Sequence, residues 1–346
     1  MISTNAPSLG IITDFRYLAS IGEDKALNIW NINNGSLRKR FIYNEITLSL
    51  VYLSNGYLGV GYDQGVIRIF DIDNGILKFE LNSTNDAHSG SVTSLILLKN
   101  GFFASGSDDK TIKIWYSING SLYFTFDFSF AGQAGSIIAM LSLNKGDLAL
   151  CTADNTIKII NYENKTILYT FGSFVNGHSD KITTLVELSN GYLASASLDK
   201  TIKIWDVVNG DILFTFSAFN GGHNAPIFAL VSISNGILAS GSKDGKVKLW
   251  NTNNFSLVKT FDVYNGGHTD GVEVLAYLGN NYLASGSADS SVKIWNLNNQ
   301  TLKKTFDNSS NGHLALIQCL ASLGKGYLAS GSYDGIKINK IINLQI

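Results

Sequence analysis

Arginine is almost missing from this chain of 346 residues: it occurs only at Arg16, Arg38, Arg40 and Arg68. A surface built to grip phosphates needs planar, bidentate cations in number, so a nucleic-acid face is disfavoured. Charge of either sign is scarce as well. Charged residues make up 15% and the formal net charge is -1, so no global field draws the chain to nucleic acid or to an anionic membrane. Cysteine occurs twice, at Cys151 and Cys319. Both lie in apolar stretches far apart in sequence, which reads as two buried thiols and not a disulfide, and points to a reducing, cytoplasmic compartment. No apolar run reaches transmembrane length, and the start MISTNAPSLG has neither a basic leader nor a hydrophobic signal core. Proline is confined to Pro7 and Pro226 while glycine appears 34 times, the balance of many strands joined by tight turns.

Histidine is rare too, and its placement is regular. His88, His178, His223, His268 and His313 recur at a period of 45 residues, with one member skipped at Gln133. A residue type used once per period serves architecture, which points to a repeat scaffold and away from an enzyme. The period carries eight copies of one segment. Leu238 to Asn251 reads LASGSKDGKVKLWN, Leu283 to Asn296 reads LASGSADSSVKIWN, and Leu193 to Asp206 reads LASASLDKTIKIWD. Further copies begin at Leu18, Leu58, Phe103, Leu148 and Leu328. Each is an apolar run, a polar turn and a second run that alternates, as Ile202 and Ile204 do about Lys203. Alternation with β-branched residues predicts strands, and the Asp-Lys, Asp-Gly and Asp-Asn turns predict hairpins. Another apolar run precedes each regular copy and one follows it, so a unit has four short strands. No regular unit offers a long stripe of 3.6-residue period. A four-stranded unit cannot bury both faces alone, whereas radial stacking and ring closure can.

On these segments the chain resembles the WD-repeat (WD40) β-propeller family over nearly its whole length. The resemblance rests on Gly177-His178, Gly222-His223, Gly267-His268 and Gly312-His313, with Ala87-His88 replacing the glycine, and on Trp205-Asp206. Elsewhere the Trp-Asp ending is altered, as in Trp250-Asn251 and Trp115-Tyr116. It implies an all-β fold: a closed β-propeller of four-stranded antiparallel blades in one domain spanning 1–346, possible as a fragment of a longer protein. Eight copies favour eight blades, with seven the alternative. The family also implies a hydrogen-bonded His, Ser, Asp and Trp in each blade. Four units match: His88, Ser105, Asp109, Trp115; His178, Ser195, Asp199, Trp205; His223, Ser240, Asp244, Trp250; and His268, Ser285, Asp289, Trp295. A carboxylate accepting from imidazole, a hydroxyl on the other ring nitrogen and an indole N–H on that hydroxyl would leave no buried polar atom unpaired. A catalytic triad is needed once, whereas this set recurs, and successive histidines have no metal-ligand spacing. We therefore expect no catalytic residue, no metal and no cofactor.

The weaker units carry expectations of their own. The fourth has Gln133, Leu150, Asp154 and Ile160, so apolar packing should replace its network and soften it unless Leu150 and Ile160 fill the space. The turn aspartate reads as common to all eight units, at Asp24, Asp63, Asp109, Asp154, Asp199, Asp244, Asp289 and Asp334. Unit one has too little room between Ile11 and Leu18 for a separate inner strand, and residues 2–8 or the tail after Lys340 should close the last blade.

The resemblance implies an interaction platform, binding a protein or peptide through loops beside the histidines, with no membrane partner. The residue before each turn aspartate varies, and Tyr62, Leu198, Lys243 and Tyr333 are the candidate contacts, since aromatic and apolar anchors dominate binding energy. Tyr62 and Tyr333 lie in the units expected to flank the first and are candidates for one patch. Phe174, Phe219 and Tyr264 recur in register in the loops before the histidines and are expected to staple the outer edge. An RNA-binding propeller and an enzyme with a central-pocket site remain the alternatives.

Overall fold

The computed structural model describes all residues except 1–9, 14–15, 23, 54–55, 130–134, 173–175, 311, 325 and 342–346. It holds eight antiparallel sheets, the all-β architecture of an eight-bladed β-propeller, and not seven. The sheets span 10–42, 47–81, 92–127, 137–171, 182–216, 227–261, 272–306 and 317–340. In each the strands follow in sequence order from an inner strand outward, four in the first seven sheets and three among the described residues of the eighth. The chain falls into two compact units, one running to Gly177 and one from His178. Within each, the inner strands of consecutive sheets pack side by side.

Sheet one corrects one expectation. Gly10–Thr13 is a separate inner strand, paired antiparallel with Tyr17–Ile21 through Thr13↔Leu18. The space expected to be too short for a separate inner strand therefore holds one. Residues 2–8 and the tail after Ile341, expected to complete the last sheet, lie outside the described residues.

The strands follow from local pattern. Thr47–Leu53, the inner strand of sheet two, alternates strictly between buried and half-buried residues, as a strand between core and a looser side should. The second strands are buried on both sides, because small residues let the next sheet approach. A Cβ on Gly106 would lie 2.5 Å from Ile137 Cγ2, one on Gly241 2.6 Å from Val272 Cγ1, and one on Gly286 2.5 Å from Ile317 Cγ2. The first apolar residue of each following inner strand thus seats in a hollow left by the glycine of the Gly-Ser step. Burying these Ile and Val side chains contributes about 1.5–3 kcal/mol each. The turn between second and third strands places one residue in the left-handed region, such as Lys200 at φ 70° and Gly65 at φ 79°. At Gly65 a side chain would also meet the His88 carbonyl oxygen at 2.0 Å, so only glycine fits there.

Candidate functional site

Each histidine enters at the start of its sheet, on a loop that must be fixed to that sheet's hairpin. In sheet three, His88 Nδ1 lies 2.9 Å from Asp109 Oδ2, and His88 Nε2 lies 2.7 Å from Ser105 Oγ. Trp115 Nε1–H donates to the same Ser105 Oγ at 2.7 Å. Asp109 also accepts from the Ser89 backbone N–H and the Thr111 hydroxyl. The donors and acceptors match in one continuous chain: the indole donates to Ser Oγ, the Ser hydroxyl donates to Nε2, and Nδ1–H donates to the carboxylate.

The same geometry recurs in sheets five, six and seven. His178, His223 and His268 stand 2.8, 3.0 and 2.9 Å from Asp199, Asp244 and Asp289. Their Nε2 atoms are 2.7, 2.8 and 2.7 Å from Ser195, Ser240 and Ser285. Trp205, Trp250 and Trp295 each donate to that serine at 2.8 Å. Burial raises the Asp199 pKa, but the His178 hydrogen bond and charge outweigh it and hold the carboxyl at about 2. Burial pushes His223 down, against the opposing pull of Asp244. None of these serines could serve as a nucleophile in this state. Each is sealed from solvent and holds an indole N–H where attack geometry would need an open path.

Other sheets keep part of the set. In sheet eight His313 contacts Asp334 and places Nε2 2.8 Å from Ser330, with Asn339 opposite Leu328 where tryptophan stands elsewhere. In sheet one Trp30 donates to Ser20 at 3.0 Å and Asp24 accepts from Ala26 N–H, a remnant legible from the same spacing but not singled out in the sequence. In sheet four Leu150 and Ile160 are fully buried in a cluster with Ile112, Ile114 and Ile137. Asp154 there turns to Thr156 Oγ1 at 2.9 Å, and Gln133 lies outside the described residues.

Sheet two departs furthest, and it overturns a predicted contact. Leu58 pairs with Phe70 as Leu283 pairs with Trp295, and Gly61 pairs with Ile67 as Gly106 pairs with Ile112. In that register Tyr62 matches Ser107, Asp63 matches Asp108 and Gln64 takes the place of the turn aspartate. The backbone agrees: Asp63 N–H bonds Ile46 O, as Asp108, Leu198 and Lys243 N–H bond Ser91, Lys181 and Pro226 O. Tyr62 is therefore not a rim residue. It is 0% exposed, because a one-residue slip moves a strand side chain to the opposite side. The aspartate common to all eight turns is likewise corrected to seven, and the patch shared by Tyr62 and Tyr333 falls with Tyr62.

Around Tyr62 a second kind of lock is built. Arg68, at the register where sheets three to eight carry lysine, is buried with its guanidinium 4.0 Å from the Tyr43 ring and 4.6 Å from the Tyr62 ring. It donates to Glu80 at 2.6 Å and to both oxygens of Glu45, at 2.9 and 3.3 Å. Arg68 holds the Glu45 carboxyl below its ordinary range, while burial pushes the Tyr62 hydroxyl up. That hydroxyl lies beside Arg68 without a hydrogen bond of ordinary geometry.

Among the other candidate contacts, Lys243 is exposed, Leu198 is half-buried and Tyr333 is 56% exposed. The expected staples are not staples. Phe219 is 102% exposed and Tyr264 95% exposed, while Phe174 lies outside the described residues. Each of the two is the middle residue of a short 3-10 turn, Ala218–Asn220 or Val263–Asn265, in which no residue is buried. The turns themselves are well fixed: Asn220 Oδ1 accepts from Ser217 N–H, Asn265 Oδ1 from Asp262 N–H, and Asp262 from Tyr264 N–H. The turn also explains the glycine before each histidine. A Cβ on Gly222 or Gly267 would lie 2.4 Å from the backbone of Ser217 or Asp262. Where Ala87 replaces it, the closing N–H···O bond to Asn82 is 3.1 Å, against 2.7 and 2.6 Å for Gly222 and Gly267.

Among the described residues, no three His, Cys, Asp or Glu side chains group as metal ligands. No helix among them is long and apolar enough to cross a membrane. The profile of a family described as "WD domain, G-beta repeat" matches residues 79–116, 166–206, 210–251 and 255–296. Each matched segment holds one complete His, Ser, Asp and Trp set. Among solved structures, the chain is similar to the crystal structure of the computationally designed Ika8 protein, with a TM-score of 0.80 and 24% identity. The likeness covers 98% of this chain and 97% of that one, and at this identity it speaks to the fold alone. No curated protein sequence matches the chain.

Proposed function

We propose, from the premise that the chain carries a WD40-type repeat region in an eight-sheet β-propeller fold, that it is a non-catalytic scaffold binding a protein or peptide through the loops beside its histidines. The observation that supports this reading most is the pair Phe219 and Tyr264. Two aromatic side chains stand fully in solvent on turns held rigid by side-chain caps. Rigid exposed aromatics lose little entropy on binding and are frequent interface anchors. Lys243, Leu198 and Tyr333 lie in the hairpin turns of the same unit and extend the contact surface. The histidine sets hold the loops in place and take no part in contact.

The test is affinity capture with the full chain and a Phe219→Ala, Tyr264→Ala pair, read by quantitative mass spectrometry. Partners that bind wild type should be depleted about tenfold or more with the variant, at unchanged circular dichroism and melting. Equal recovery from both would reject these loops as the binding surface.

A further inference from the structure

Asparagine followed by glycine is the step at which a polypeptide most readily modifies itself, because no side chain keeps the glycine nitrogen from the asparagine amide carbon. The chain has twelve such steps. The fold engages most of them. In the turns before the outer strands, Gly35, Gly75, Gly120 and Gly210 each donate N–H to the carbonyl four residues back, at 2.8–2.9 Å. Gly191 and Gly312 donate to Leu188 and Asp307 at 2.9 and 2.6 Å. At Asn220 and Asn265 the side chain is clamped: Oδ1 accepts from Ser217 or Asp262 N–H, and Nδ2 donates to Thr215 or Thr260 O. Gly236 is buried within the 3-10 turn Ser234–Gly236. Asn55 and the three residues before Asn176 lie outside the described residues.

Asn100–Gly101 differs. It is an exposed turn between Val92–Leu97 and Phe102–Ser107 of sheet three, and among the described residues no backbone carbonyl meets the Gly101 N–H. The space is open too: a Cβ on Gly101 would have no atom within 4 Å. With φ 58° at Asn100, φ 80° at Gly101 and Phe102 N–H donating to Lys99 O at 3.3 Å, this is a type I′ turn. Turning over its central peptide converts it to type II′, the other two-residue turn that hairpins favour. The Phe102 to Lys99 bond survives that flip, and the flipped peptide has no backbone hydrogen bond to lose. The ψ of Asn100 then moves to about -120°, which brings the Gly101 nitrogen beside Cγ of Asn100. In the tied turns the same rotation first breaks the glycine N–H bond.

We propose that Asn100 is a self-modification site, where the chain converts its own amide to a carboxylate. The Gly101 nitrogen gives its proton to base and bonds to Asn100 Cγ. The Cγ–Nδ2 bond breaks and the nitrogen leaves as ammonia, taking its proton from water. Water then adds to either carbonyl of the cyclic imide and opens it to aspartate or isoaspartate, so the sum is one water consumed and one ammonia released. The Asn100 Nδ2–H bond to Glu163, 2.7 Å long and exposed to competing water, holds the departing nitrogen and not the carbon under attack. The product sets a carboxylate against Glu163, so a hydrogen bond between sheets three and four gives way to like charges.

The folded wild-type chain, held in mildly alkaline buffer and sampled over days, tests this by peptide mapping with mass spectrometry that separates asparagine, aspartate and isoaspartate. Asn100 should convert about fivefold faster or more than Asn34, Asn74, Asn119 or Asn209, since each of those must first open a hydrogen bond. The same time course in denaturant should bring all of them to similar rates, because every one is followed by glycine. Conversion at Asn100 no faster than at those four in the folded chain overturns the proposal. So does a lead that persists undiminished in denaturant, which would place its cause in the neighbouring sequence and not in the turn.

Discussion

In sheet six a neutral imidazole, a hydroxyl, a carboxylate and an indole tie the incoming loop to the hairpin. In sheet two a guanidinium held between two tyrosine rings and two carboxylates occupies the matching registers, with Tyr43 where the histidine would be and Phe70 where the tryptophan would be. Both link the start of the sheet to its later strands. They differ in how failure would propagate. The set of sheet six hides one ionised group, Asp244, and meets it with several donors. The cluster of sheet two hides a full cation, whose removal strands two carboxylates. Sheet four shows the third solution, in which Leu150 and Ile160 do the work by apolar packing. What a sheet requires is a filled space at this corner; the chemistry that fills it is interchangeable.

The largest effect should come from breaking the ionic lock. Arg68→Ala is expected to destabilise the unit up to Gly177 by about 3 kcal/mol, read by urea denaturation, because the half-buried carboxylates of Glu45 and Glu80 lose their shared cation and the Tyr43 and Tyr62 rings lose the guanidinium packed on them. Replacing Arg68, Glu45 and Glu80 together by Met, Leu and Leu should recover most of that loss. If the triple variant is as unstable as the single one, the two locks are not equivalent solutions.

A smaller loss is expected from Ser240→Ala in sheet six, about 1–3 kcal/mol, since the Trp250 N–H and His223 Nε2 both lose their shared partner. The same denaturation experiment should show it in the unit from His178, and a loss as large as that of Arg68→Ala would erase the contrast.

Acid should separate the two sheets next. His223 is held neutral below its ordinary value, so the unfolded chain takes its proton first as pH falls through about 6.5, and stability declines from there. Asp199, at about 2, contributes stability that is complete above about 4 and is lost as pH falls toward 2. Glu45, also held low, adds its loss in the carboxylate range, below about 4.3. Between pH 6.5 and 5, hydrogen-exchange protection factors, which remove the intrinsic slowing of exchange with falling pH, should therefore drop in sheet six while those of sheet two hold. An equal drop in both would contradict a neutral His223. The smallest effect is expected from Ala87→Gly, which lets the loop into sheet three close as tightly as those into sheets six and seven, a gain within about 0.5 kcal/mol detectable as a small rise in melting temperature.

Much of this was legible before any coordinates. The four complete sets follow from constant spacing, because each sheet repeats the same hairpin and so the same distance along the chain. The slip in sheet two was also legible in retrospect: Asp63 precedes Phe70 by one residue more than Asp109 precedes Trp115. Equating Asp63 with the turn aspartate placed Tyr62 on the rim, when the register places it in the core. The remnant at Ser20, Asp24 and Trp30 has the full spacing in the sequence, without the histidine. Phe219 and Tyr264 were not legible in the same way, since a period says where a residue recurs and not whether anything packs upon it.

By itself the sequence determined the number of units, the four strands in each and the chemistry of their turns. These depend on backbone conformation and side-chain alternation, which are local. Only the tertiary structure decided that Tyr62 is inside, that Arg68 draws Glu45 and Glu80 from separate strands, and that Phe219 and Tyr264 meet solvent. Burial and ion pairing are set by the surface of whatever element lies opposite, and that surface is assembled from residues the local pattern does not contain.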